Sequence, residues 1–481
     1  MSTLTCLSQD AIPPTPHLFS GEPQYSFPVY ANPEEVSMNG WRVALAVVLC
    51  LGIGVAVARA TEKTFPYQYQ QTVLDNGLTV VTIPMESPGI VAYYSVVRTG
   101  SRDEYEPGHS GFAHFFEHMM FRGTKRYPGE IYDKLMTEMG ADANAFTSDD
   151  ITCYHLEVTT DDFEKVMELE SDRFQNLSYP EDAFKTEAGA VYGEYRKSVS
   201  SAGFVLRETM QNTAYDKHTY KHTTMGFKQD IEAMPTMYEY SKSFLHRYYR
   251  PENVVLLIVG DIKPEPTLAL VKKYYGGWQK GYTAPQVPVE PEQTAPRRAD
   301  AKFDGRTLPI MGIGYKSPAF DPTNITLAAC QILGELAFGE TSDIYKKLVL
   351  DEQRVQYIRA GFEPSRDPGL ATIYTMVKDT ADIAGVEQEI YKTIEKFQTT
   401  PPDEKLLNDV KSNSRYGFLM GLDTPGHVAG ALVGFLAMGG KMEVVDQVYE
   451  TLNKVTPKDV MDAAKTILVP NKRTVVLVEG K

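Results

Sequence analysis

Cysteine is scarce in this chain, with 4 residues in 481. Two of them, Cys6 and Cys50, fall in the first sixty positions, which leaves Cys153 and Cys330, 177 positions apart. That is no disulfide framework. The two could pair in an oxidising compartment, but a pair of buried free thiols is the simpler reading. Basic clusters are missing too: Lys and Arg number 48 against 63 Asp and Glu, a net charge of −15 with no acidic tail to account for it. A nucleic-acid surface is thereby excluded, and the charge reads as a solvated exterior. Nor is any apolar run long enough to cross a bilayer. The longest, residues 43–57, has 15 residues, short of the roughly 20 that a spanning helix needs. Preceded by Arg42 and followed by Ala58-Arg59-Ala60, an A-x-A cleavage pattern, it reads as an export signal over 38–60. No stable membrane anchor is expected, and a bacterial periplasm is the expected destination. Residues 1–37, rich in Pro and Ser, read as an upstream extension outside the fold. Cleavage after Ala60 leaves 421 residues with 46 basic and 59 acidic side chains, a net charge of −13.

What remains has the composition of a globular protein, 42% hydrophobic and 11% aromatic, and is long enough for more than one domain. Pro285, Pro288, Pro291 and Pro296 punctuate residues 282–300, a linker that separates an N-terminal domain, 61–281, from a C-terminal one, 301–481. The two halves close alike. Pro251-Glu-Asn-Val-Val-Leu-Leu-Ile-Val-Gly260 and Pro470-Asn-Lys-Arg-Thr-Val-Val-Leu-Val-Glu-Gly480 both run from Pro through a polar turn into a Val/Leu strand. Two copies of one α+β unit are implied. The first of these strands is apolar throughout, as expected of a strand buried on both faces. A hairpin turning at Asp75-Asn76-Gly77, a strand at 90–98 and helices over 129–139, 161–175 and 180–200 follow from their periodicities.

Chemistry concentrates in residues 109–124, His-Ser-Gly-Phe-Ala-His-Phe-Phe-Glu-His-Met-Met-Phe-Arg-Gly-Thr. His114, Glu117 and His118 stand at i, i+3 and i+4, one face of a helix. Two imidazoles one turn apart can hold a divalent ion, with a carboxylate between them to handle a water. This is the inverted zinc-hydrolase order, H-x-x-E-H. A catalytic zinc needs a third protein ligand. Glu194 and Glu187, two turns apart on one face of a long helix, are candidates, and periodicity selects neither over the other nor over Glu181. His218 and His222 repeat the i, i+4 spacing without an intervening Glu and read as non-metal. His109 reads as a loop residue and His155 as a structural strand residue.

Taken together, Gly100-Ser101-Arg102-Asp103, Gly111-Phe-Ala-His-Phe-Phe-Glu-His-Met119 and Phe121-Arg-Gly-Thr124 resemble the signature of the pitrilysin/insulinase metallopeptidases, which include the mitochondrial processing peptidases. The resemblance implies Glu194 as third ligand, beside His114 and His118, to one Zn²⁺ per chain. It implies Glu117 as general base and Glu187 as a second carboxylate assisting at the metal. Asn144-Ala145-Phe146-Thr147 resembles the family's substrate-side segment, and Tyr357 stands where the family has a substrate-steadying Tyr. Seven residues before that Tyr the family carries Arg; this chain has Leu350, with Arg354 and Arg359 nearby. The fold implied is α+β, two related domains, each a mixed or antiparallel sheet with helices packed on one face, together half of a clamshell. The function implied is endopeptidase hydrolysis of peptides or unfolded segments, by a homodimer or by a heterodimer with a zinc-less paralogue. The reading from a different class is a non-catalytic or partner-dependent subunit serving assembly or peptide binding; the retained zinc residues weigh against it.

Overall fold

Two β-sheets, one in each half, organise the protein. The computed structural model describes residues 63–481; the expected upstream extension and export signal lie outside the described residues. The first half contributes β1 (Gln70–Val73), β2 (Thr79–Pro84), β3 (Ile90–Val97), β4 (Asp142–Thr147), β5 (Thr152–Thr159) and β6 (Val254–Gly260). The second contributes β7 (Arg297–Lys302), β8 (Ile310–Lys316), β9 (Val355–Gly361), β10 (Leu370–Val377) and β11 (Arg473–Glu479). The sheet orders are β1-β2-β6-β3-β5-β4 and β7-β11-β8-β10-β9. Leaving β1 aside, the two sheets match strand for strand. Each opens with a parallel pair, β2 with β6 and β7 with β11, and continues through three antiparallel pairings. The two segments that resemble each other in sequence are β6 and β11, which occupy equivalent places.

Burial explains why β6 has no polar position. Its seven residues are all buried, and because side chains alternate across a strand they enter two separate cores. Val254, Leu256 and Ile258 face the helices of their own half, including Phe115 and Phe116. Val255, Leu257 and Val259 face Val428, Leu432 and Leu436 on the helix Pro425–Gly439 of the other half. The exchange is mutual. A first-half helix, Ala202–Ala214, lays Leu206 and Met210 against Ile310, Val476 and Val478 of the second sheet. Helices therefore cover one face of each sheet from within its own half, as the family resemblance implies, and the opposite face from the other half.

Residues 278–296 carry no helix or strand, in keeping with four prolines that each remove a backbone donor. Arg297 already belongs to β7, so the last residues of the expected linker are part of the second sheet. The strap is tied down by Glu290, whose carboxylate accepts the backbone N–H groups of Asp216, Lys217 and His218 at 2.8, 2.9 and 3.0 Å. Cys153 and Cys330 are buried free thiols.

Candidate metal centre

The motif forms the helix α1 (Phe112–Met119), almost wholly buried. Its entry is unusual. The residue before it, Gly111, has φ 94°, and a Cβ there would meet the Met225 carbonyl oxygen at 2.8 Å, so only glycine fits. No side chain at the usual capping position is available. Instead Glu104 reaches in from the preceding loop, and its two oxygens accept the N–H groups of Gly111 and Ala113 at 2.6 and 2.7 Å. Asp230 holds Ser110 through both its N–H and its hydroxyl, at 3.2 and 2.6 Å. At the far end Gly123, φ 83°, closes the short 3-10 turn that follows α1.

After α1 the chain forms α2 (Gly129–Glu138), then α3 (Phe163–Asn176) and α4 (Glu181–Ser198). Glu187 and Glu194 share the face of α4 that meets α1. Glu181 does not share it: it is 55% exposed and pairs with Lys185 at 2.9 Å. Packing thus sets Glu181 apart from the other two candidates. The Nε2 atoms of His114 and His118 converge on Glu194 Oε2, at 3.3 and 3.4 Å. Ligand atoms about 2.1 Å from a tetrahedral zinc are about 3.4 Å apart, so these three side chains already stand at the separation one ion requires. Together they form a three-ligand constellation among the described residues, His114, His118 and Glu194.

Glu187 sits behind the ligands. Its Oε1 meets His118 Nδ1 at 2.9 Å, and its Oε2 accepts from the Arg122 guanidinium. Donation from His118 Nδ1 fixes the tautomer that leaves Nε2 a lone pair for the ion. Glu187 thus meets the His118 ring at the nitrogen opposite the one that faces Glu194. Burial would lower the His118 imidazole, but Glu187 and Glu194 outweigh it and raise it to about 10. Burial would likewise lift the Glu194 carboxyl, yet the two imidazoles hold it well below the usual carboxylate range. Glu187 is lowered too, burial being overcome by His118 and Arg122.

Glu117, 5% exposed, projects from the same face of α1. Thr147, the last residue of β4, donates its hydroxyl to Glu117 Oε2 at 2.6 Å. Asn144 lies on the same strand, half-buried, with its Oδ1 accepting the Ala145 N–H at 2.8 Å. β4 is the outer strand of the first sheet and packs against α1. Tyr357 is placed on β9, an outer strand of the second sheet; its carbonyl accepts the Thr375 hydroxyl at 2.8 Å. The Arg359 cation lies 5.5 Å from the Tyr357 ring centroid, whereas Arg354 is engaged by Asp382 at 3.0 Å and Glu352 at 3.3 Å. Leu350 is 57% exposed.

Among the described residues, His109, His155, His218 and His222 are not part of this constellation. His109 packs against Tyr240 and His155 stacks on Tyr94, with centroids 4.0 and 5.0 Å apart. His218 is buried against Asp367 at 2.9 Å, and His222 Nδ1 donates to the Thr223 carbonyl oxygen at 3.0 Å. Sequence reasoning passed over Glu104, Arg122 and Thr147. The last two lie inside segments already singled out; Glu104 carries no local signal, because a cap normally sits next to the helix it closes.

The chain matches known proteins over this whole arrangement. Residues 80–228 match the family described as Insulinase (Peptidase family M16), and residues 237–414 match the Peptidase M16 inactive domain. The helix Ile325–Phe338, which follows β8 as α1 follows β3, carries no histidine, in keeping with the second description. The zinc protease PqqE of Helicobacter pylori is 28% identical over 412 residues, 84% of this chain and 90% of that protein. A zinc protease of Bacillus subtilis, YmxG, uncharacterized, is 22% identical over 82% of this chain and 94% of its own length. The crystal structure of a protease from Helicobacter pylori superposes with a TM-score of 0.80 at 26% identity, covering 86% of this chain and all of that one. With one half carrying the H-x-x-E-H helix and its distant Glu, and the other carrying the same fold without them, the chain belongs to the pitrilysin/insulinase family, peptidase family M16.

Proposed function

We propose that the chain is a secreted, zinc-dependent endopeptidase acting on peptides or unfolded segments. The observation that carries this reading is the convergence of two imidazole Nε2 atoms on one Glu194 oxygen, at 3.3 and 3.4 Å, with Glu117 on the same helix face. His114, His118 and Glu194 would hold the zinc ion, which when bound would supply a Lewis acid to make a water nucleophilic near neutral pH. The chain's own residues do the rest. Glu117 takes the proton from the attacking water and returns it to the amine nitrogen of the departing product. Glu187 keeps His118 in the required tautomer. A peptide that adds to the outer edge of β4 runs alongside α1, past Asn144, and brings its backbone to this face.

The test uses two measurements on one variant. Glu117→Gln is expected to keep about one zinc per chain by metal analysis and to lose roughly 10³-fold in turnover. Comparable residual activity in a pure preparation, or proteolysis that survives chelation, removes the assignment.

Pairing and export extend the same reading. Leu350 in place of the family's Arg, with Arg354 already engaged by Asp382, favours a second chain completing the grip on substrate, whether a copy or a zinc-less relative. Size exclusion combined with an activity assay decides this, and a fully active monomer refutes both versions. Export rests on residues 43–60. N-terminal sequencing of protein from a periplasmic fraction is expected to begin near Thr61, and recovery of the intact N-terminus from the cytoplasm refutes it.

A further inference from the structure

The base Glu117 is nearly buried, yet one hydrogen bond alone reaches its carboxylate among the described residues, the 2.6 Å contact from Thr147. A buried carboxylate ordinarily gathers several donors. Here Oε2 is held and Oε1 is left without a protein donor, which is the arrangement a proton-transferring group requires. Among the described residues Thr147 in turn makes no other side-chain hydrogen bond. It ends β4 at the point where the strand turns back into β5, paired with Thr152.

That turn is held from three sides. The Ser148 N–H closes it on the Ile151 carbonyl at 2.8 Å. The Ser101 and Arg102 N–H groups bond the Ser148 and Asp149 carbonyls at 3.4 and 2.7 Å, and a Cβ on Gly100 would strike the Ser148 oxygen at 2.3 Å. Asp150 accepts the Tyr220 hydroxyl at 2.7 Å and, from the second half, the Arg366 N–H at 3.0 Å. The Gly100-Ser101-Arg102-Asp103 segment, with no chemistry of its own, thus fastens the end of β4.

We infer that Thr147 is a positioning residue: its hydroxyl fixes the Glu117 carboxylate so that the oxygen left free faces the reacting water. The inference rests on Glu117 being the base. Because β4 is also the edge that would receive the peptide, one strand then sets both the substrate's line and the base's orientation. A hydrogen bond to a charged group contributes about 1.5–3 kcal/mol, so its loss should slow turnover about 10- to 100-fold.

The experiment compares Thr147→Val, Thr147→Ala and Thr147→Ser in the full chain with zinc, on an unstructured peptide. Valine matches threonine in shape and suits a strand, and alanine gives a second hydroxyl-free variant should valine fold poorly. Both are expected to lower kcat about 10- to 100-fold with KM, zinc content and thermal midpoint near wild type. Serine is expected to restore kcat to within a few fold. The inference is overturned if the hydroxyl-free variants keep wild-type kcat, if they lose zinc or KM in proportion, or if serine fails to rescue. Those results leave the peptidase reading standing, whereas an active Glu117→Gln enzyme removes that reading first.

Discussion

Residues around the metal centre divide into those that would touch an ion and those that hold the touching residues in place. Glu187→Gln separates the two roles. Glutamine can still accept from His118 Nδ1, but its amide would face the Arg122 guanidinium with a donor. Zinc affinity is expected to fall about 10- to 100-fold, measured by competition with a chromogenic chelator, and activity to return at saturating zinc. Glu194→Gln, which removes a ligand, is expected to stay inactive at any zinc concentration. A second residue-scale prediction concerns Asp149, whose carboxyl is pushed up to about 6 by burial, although the Ser101 hydroxyl donates to it at 3.0 Å. Between the ordinary Asp value of 3.8 and about 6 the folded chain binds this proton more tightly than the unfolded chain does. Folding stability from this group is therefore greatest below that window, falls as pH rises through it, and remains penalised above it. Asp149→Asn is expected to raise stability by on the order of 2 kcal/mol at neutral pH. The gain should shrink toward pH 4 in denaturant titrations, and a gain that is equal at both pH values would contradict the argument.

Elements show how much of this was readable beforehand. The i, i+3, i+4 spacing places His114, Glu117 and His118 on one face of α1 because helical geometry leaves no other choice. The seven-residue interval likewise puts Glu187 and Glu194 on one face of α4. Which Glu would be the ligand was settled by the family resemblance, and packing then separated the exposed Glu181 from both. Glu104 was illegible because its capping bonds form between a loop and a helix brought together only by the fold. Thr147 was visible as the end of the Asn144–Thr147 segment, but its contact with Glu117 was not: a threonine on a strand is ordinary, and its partner is chosen by how β4 lies on α1. The helix Pro425–Gly439 carries an element-scale prediction. Leu432 is fully buried in the core this helix shares with the first sheet. Leu432→Ala is expected to cost about 2–5 kcal/mol, read as a lowered denaturation midpoint, and to lower it for both halves together.

At the scale of the molecule, the mutual covering of the sheets means that neither half has a complete surface. Residues 61–281 expressed alone would expose Val81, Ile83, Ala92, Tyr94, Val96, Val255, Leu257 and Val259 on one face of their sheet. Such a patch is large enough to drive association, so this fragment is expected to be insoluble or aggregated, and a soluble, monomeric, cooperatively folding fragment would refute the argument. The intact chain from residue 61 on is expected to unfold in one calorimetric transition despite its two-part sequence.

The coil between the halves has a use that its lack of regular structure conceals. Val289 is 87% exposed in it, and a protease could cut there without disturbing either sheet. Because each half keeps a helix lodged against the other's sheet, the two pieces would stay together as a non-covalent pair with the metal centre whole. Covalent continuity is then a matter of assembly rather than of upkeep: the peptide link brings the halves to one another once, and the exchanged helices hold them thereafter.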